Sequence, residues 1–258
     1  MIKIENVEVL GWEAAIRGMR NAKNSWDKSD SVFSKHICSN TVCWTDISLN
    51  ELPPCNIPEE VHVDNWTGLF YDIGPNDYEL MMKLAKAGTD HRKFMRMIDV
   101  YLDITAPLYW WKEFKTYRKD RKFLDNEDFY DYDDYEIEEF IEMNSCSTMH
   151  KIHSKEFTLE DFSCEHLGPP AIQNLKSTIK CMNDYREEFL KDKDKHNWWQ
   201  MIQLLPSSYN QKRTVKLNYE VLLRMYKSRR GHKLDEWQDF CKWIESLPYS
   251  ELITGEEK

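Results

Sequence analysis

Glycine is scarce, with 8 among 258 residues. Walker and dinucleotide loops crowd several glycines into one turn so that the backbone can approach phosphate, and no such run occurs here. The G-x-S-x-G elbow, the H-E-x-x-H pair and C-x-x-C spacing are also missing, which removes the usual serine-hydrolase, zinc-protease and zinc-ribbon signatures. No apolar run approaches the roughly 18 to 20 residues of a membrane span. The opening Met1-Ile2-Lys3-Ile4-Glu5 has no basic flank leading into an apolar stretch, so the expectation is a soluble, cytoplasmic protein with no membrane partner. Basic charge is in deficit, 35 Lys and Arg against 45 Asp and Glu, for a net charge of −10. Coating a nucleic-acid polymer needs the opposite surplus, so no such partner is expected.

What is present points to a real core. Hydrophobic residues make up 41% of the chain and aromatics 13%, including 10 Trp, a composition that disordered chains do not have. The expected organisation is one domain over residues 1–258, interrupted by an acidic insertion at about 119–144. Within residues 123–144 lie ten acids and no Lys or Arg, so this block alone accounts for the net charge. Like-charge blocks repel themselves into solvent, which favours a surface insertion over a cation-binding or DNA-mimicking strip. The 7 cysteines are odd in number and widely spaced, as expected of reduced thiols. His36-x-Cys38 with Cys43 invites a zinc reading, but a second close-spaced ligand pair is missing, and no metal is expected.

Periodicity outlines the elements. Residues 2–10 read as a strand and 13–19 as a short helix, followed by short strands and loops over 31–75. Asn76 or Asp77 is placed to cap a helix bearing Leu80, Met81, Leu84 and Ala87, with Gly88 as its stop. Ile98, Val100, Leu102 and Ile104 alternate with polar residues as in a half-buried strand. Pro107 opens an aromatic helix over 108–118. After a break at Pro169-Pro170, Ile172, Leu175, Ile179 and Met182 mark a long amphipathic helix. An apolar helix over 198–205 stops at Pro206, and helices over 217–229 and 234–247 close the chain. Trp110-Trp111 and Trp198-Trp199 read as core in preference to base-stacking platforms. Together these elements predict an α+β fold with a mixed or antiparallel sheet flanked by long helices.

Two stretches resemble the flavin-dependent thymidylate synthases, the thymidylate synthase complementing protein family, which methylate dUMP with FAD, NADPH and methylenetetrahydrofolate. The first runs from His91 through Ala106-Pro107 to Thr116-Tyr117-Arg118, with Asn144-Ser145-Cys146-Ser147 similar to the Ser-containing segment that follows. Between Arg118 and Ser147 lie 28 residues, a longer connection than the family carries, and the acidic block fills the surplus. The second runs from Leu205-Pro206 through Asn218 to Arg229 and Glu236. Asn218 and Arg229 are eleven residues apart, about three helical turns, which would put them on one helix face.

The resemblance implies an α+β homotetramer with sites shared between subunits. It also implies a flavoprotein methyltransferase of nucleotide biosynthesis whose substrate is a pyrimidine deoxynucleotide. Carried over residue by residue, Arg229 and Ser147 fall on nucleotide-contacting catalytic positions. His91, Arg118, Asn218 and His232 (or Lys233) fall on flavin-contacting ones. Thr116, Tyr117, Met149, Ile202 and Glu220 stand where the family has Arg or His, and Lys151, His150, Lys212, Arg213 and Arg230 are the nearby cations available to compensate. The same residues carry plain structural readings. Arg229 would pair with Glu236 or Asp235 at a helix end, Asn218 would cap a helix, and His91 would begin a strand. A family member that has lost the chemistry, and binds a nucleotide or a protein partner, is the second functional class.

Overall fold

The computed structural model describes residues 2–39, 42–45, 67–117, 141–145 and 150–255. Among them are seven strands: β1 (Lys3–Leu10), β2 (Val32–Ser39), β3 (Val42–Thr45), β4 (Thr67–Asp72), β5 (Asp99–Pro107), β6 (Glu142–Ser145) and β7 (Asn210–Asn218). The helices are α1 (Trp12–Arg20), α2 (Pro75–Lys86), α3 (Leu108–Phe114), α4 (Pro169–Asp192), α5 (Lys195–Leu204), α6 (Tyr219–Arg229), α7 (Asp235–Glu245) and the single turn α8 (Glu251–Thr254). The chain divides into two units: Met1–Leu10 with Asp99–Lys258, and Gly11–Ile98.

The larger unit is built on a four-stranded antiparallel sheet in the order β1-β5-β7-β6. On β5, Val100, Leu102, Ile104 and Ala106 are buried, as the alternation requires. The partner β7 was not legible as a strand, because two of its four alternating inward residues are Gln211 and Arg213, followed by Val215 and Leu217. Leu217 and Asn218 therefore end a strand and do not begin a helix. Opposite the core, Asp103 accepts from Asn6 Nδ2, Thr214 Oγ1 and Lys212 Nζ at 2.9, 2.7 and 3.0 Å, tying β1, β5 and β7 together. Hydrogen bonds led by Thr214 hold the Asp103 carboxyl down at about 2.

Residues 119–140 of the expected acidic insertion lie outside the described residues. Its end does not loop out: Glu142, Met143 and Asn144 pair with Lys216, Val215 and Thr214, and Ile141 is fully buried. Pro169 and Pro170 do not break the chain either. They form the first turn of α4, where a missing N–H costs nothing. Leu175, Ile179 and Met182 of α4 pack with Met201 of α5 and with Ile152, Phe157 and Phe162. Trp110 and Trp111 are core, as expected, but Trp199 is 42% exposed with Lys195 Nζ 6.0 Å from its ring centroid. The pair Trp198-Trp199 is thus only partly buried.

The smaller unit holds the antiparallel sheet β3-β2-β4 with α1 and α2. Neither Asn76 nor Asp77 caps α2. The carboxylate of Asp30 accepts from the backbone N–H of both at 3.0 and 3.1 Å. Asp77 in turn is fully buried, takes Arg20 Nε at 2.6 Å, and accepts from Ser29, Asp30 and Ser31. Burial pushes the Asp77 carboxyl up, but hydrogen bonds from Ser31, Ser29 and Arg20 outweigh it and hold it below the usual range. Gly11, at φ +94°, opens α1 where a Cβ would lie 2.0 Å from the Met97 carbonyl oxygen.

Candidate nucleotide site

Three helical segments of the larger unit bring the candidate residues together. Helix α3 continues into a tighter turn, Lys115–Tyr117, so Glu113 and Tyr117, four residues apart, share one face. Helix α6 ends at Arg229, and α7 begins six residues later, placing His232 and Trp237 beside that end. Behind them Trp110, Phe114, Trp237 and Phe240 pack ring against ring, with centroids 4.8 to 6.3 Å apart. The polar groups in front are thus mounted on a rigid aromatic wall.

One carboxylate oxygen organises the front. Glu113 Oε2 lies 3.0 Å from Arg229 Nη1, accepts from Trp237 Nε1 at 2.9 Å, and lies 3.6 Å from His232 Nε2. Arg229 Nε donates to Tyr117 Oη at 2.7 Å. The guanidinium carbon sits 4.6 Å from the Trp237 ring centroid and 5.3 Å from that of Tyr117. His232 Nδ1 accepts from the Leu234 N–H at 3.2 Å, which assigns the ring proton to Nε2, the nitrogen facing Glu113. Arg229 keeps 17% of its side-chain surface in solvent and His232 26%, so both are anchored yet reachable.

Geometry decides which acid Arg229 pairs with. Its carboxylate partner is Glu113. Buried Glu236 accepts from the Tyr109 hydroxyl, and Asp235 lies 3.0 Å from His166 Nε2. Burial, then Glu236, pushes the Tyr109 phenol well above its ordinary range. Asn218 is a helix cap: it is buried, and its Oδ1 accepts from the Val221 N–H at 3.0 Å, at the opposite end of α6 from Arg229. His91 begins no strand; it lies exposed on a turn of the smaller unit, with its N–H bonded to the Gly88 carbonyl. Arg118 and Ser147 lie outside the described residues.

Two of the nearby cations are committed elsewhere. Lys212 pairs with Asp103, while Arg213 is buried, donates to Gln211 Oε1 at 3.1 and 2.7 Å, and stacks 4.3 Å from the Trp111 ring centroid. Thr116 turns its hydroxyl onto the Glu113 carbonyl. Glu220, where the family has Arg, is buried. Glu113 and Trp237 were missed as site residues; the available signal was the four-residue spacing of Glu113 and Tyr117 on a helix aimed at Arg229.

Chemically, the cluster offers one anchored guanidinium and one imidazole N–H, balanced by a carboxylate and backed by rings that are themselves fully buried. That set suits a hydrogen-bond acceptor. A flavin dinucleotide also needs its pyrophosphate neutralised; of its expected contacts, Asn218 caps α6 through Oδ1 and His91 is on a turn of the smaller unit. Among the described residues no group of three metal-ligating side chains converges, and no helix is long and apolar enough to cross a membrane.

No protein-family model and no curated protein matches the sequence. Solved structures match over almost the whole chain. Thymidylate synthase X from Helicobacter pylori, solved with FAD and dUMP, superposes with TM-score 0.56 at 12% identity, covering 98% of this chain and 96% of that one. A UMP/dUMP methylase, PolB from Streptomyces cacaoi, bound with 5-Br dUMP, gives TM-score 0.52 at 12% identity, covering 99% and 95%. The chain thus has the α+β fold of the flavin-dependent thymidylate synthases.

Proposed function

We propose that this chain binds a pyrimidine deoxynucleotide at the Glu113-Arg229-His232 cluster and methylates its base, by one-carbon transfer and reduction. The observation that carries the reading is the placement of Arg229. It lies on a fold otherwise seen in a dUMP-bound synthase and a dUMP methylase, at the position where the resemblance puts a nucleotide contact. It is held by Tyr117, Glu113 and Trp237 in a partly open setting. In this reading FAD, NADPH and methylenetetrahydrofolate are the cofactors. Arg118, Ser147 and a partner subunit of a homotetramer supply further flavin and phosphate contacts.

A second reading has a specific observation in its favour. Glu113 already neutralises Arg229, and Glu220 replaces a further cation, which suits a protein that keeps the nucleotide and has given up the flavin. Calorimetric titration with dUMP and with FAD, each alone and together, separates the two. Binding of both supports the methylase, and binding of dUMP alone supports the second reading. Binding of neither refutes both.

A further inference from the structure

Glu113 has no place in the reading drawn from sequence, yet three donors from two other segments converge on one of its oxygens. Arg229 Nη1 and Trp237 Nε1 approach Oε2 at 3.0 and 2.9 Å, with His232 Nε2 at 3.6 Å. Tyr117 holds Nε of the same guanidinium, and Trp237 lies under its face. Nε and Nη1 of Arg229 are therefore both engaged by protein, which holds the guanidinium in place. A carboxylate at 3.0 Å also changes what the remaining edge attracts. It cancels most of the positive charge locally, so a phosphate dianion gains little there and meets repulsion from Glu113. An uncharged carbonyl oxygen still gains a hydrogen bond from a rigidly placed cationic donor.

We infer that Glu113 is the positioning residue of this site: it fixes Arg229 and His232 so that they address a carbonyl oxygen of the pyrimidine ring, while the nucleotide phosphate binds elsewhere. The inference rests on the pyrimidine-nucleotide reading above. A free guanidinium would swing among rotamers and choose phosphate. This one presents a fixed donor edge.

The test is calorimetric titration of the full chain with dUMP and with deoxyuridine, which has the same base and no phosphate, for wild type, Glu113→Ala and Glu113→Gln. Glu113→Ala should weaken both ligands by the same factor, roughly tenfold or more, because the lost alignment acts on the base. Glu113→Gln should restore most of the affinity for both, since an amide oxygen can still receive Arg229 and Trp237. A merely structural Glu113 would lower the melting temperature and leave both affinities of the folded protein unchanged, which overturns the proposal. Tighter dUMP binding in either variant with deoxyuridine unaffected also overturns it, because the carboxylate would then be competing with the phosphate. If wild type binds neither ligand, the nucleotide reading itself falls and takes this proposal with it. Wild-type binding that survives both substitutions refutes only the role of Glu113.

Discussion

Replacing Arg229 by alanine tests whether this side chain serves ligand, fold or both, and the structure gives a magnitude for each. On the fold side, the change removes the hydrogen bond to Tyr117, worth about 1 kcal/mol. It also removes the stacking on Trp237, worth about 0.5 to 1 kcal/mol at a partly exposed site. The pair with Glu113 adds little to that loss. Glu113 is 37% exposed, so water can replace the guanidinium and the pair is discounted to below about 1 kcal/mol. The expected loss of stability is therefore about 2 kcal/mol, read from urea unfolding followed by circular dichroism. On the ligand side, a lost cationic hydrogen bond should cost dUMP about 2 kcal/mol, roughly thirtyfold in Kd, read by calorimetry under conditions where the variant is fully folded. Unchanged dUMP affinity alongside the stability loss would refute the placement of the site. An intact stability would refute the network drawn around Arg229.

Three further outcomes follow from the packing. Asp77→Ala leaves Arg20 buried without its carboxylate and should cost about 3 to 5 kcal/mol in chemical denaturation. Because the folded Asp77 carboxyl is held below its ordinary value, its contribution is full above pH about 4 and is lost as pH falls through the folded value, so the gap between wild type and Asp77→Asn should narrow on acidification. Gly11→Ala combines a positive φ with a Cβ set against the Met97 carbonyl and should lower stability by at least about 1 to 3 kcal/mol in thermal melts. Replacing residues 121–140 by a short Gly/Ser linker should leave a cooperative melt, whereas Ile141→Ala, emptying a fully buried position, should cost about 2 to 5 kcal/mol.

Strong periodicity was legible, and polar burial was not. Strand β5 and helix α4 could be read because their apolar residues recur at two and at three to four. Strand β7 escaped because Gln211 and Arg213, bonded to each other and with Arg213 stacked on Trp111, occupy inward positions where a pattern reading expects aliphatics. The cap of α2 was misassigned to Asp77 because the group that does the work, Asp30, is remote in sequence. At the site, the resemblance picked out Arg229 and His232, which the structure brings within reach of the same Glu113 oxygen. Asn218 caps α6 through Oδ1, the plain reading that its sequence position also offered. Glu113 itself was hidden in an aromatic helix, because which acid meets Arg229 is decided by the tertiary approach of α3 to the end of α6.

The most direct test of the methylase reading is the fate of the nucleotide. The purified chain is incubated with dUMP, FAD, NADPH and methylenetetrahydrofolate, and the nucleotides are separated and weighed by mass spectrometry. A methylated pyrimidine deoxynucleotide is expected, its formation lost in Arg229→Ala; dUMP recovered unchanged from a protein that demonstrably binds it would refute the methylase reading.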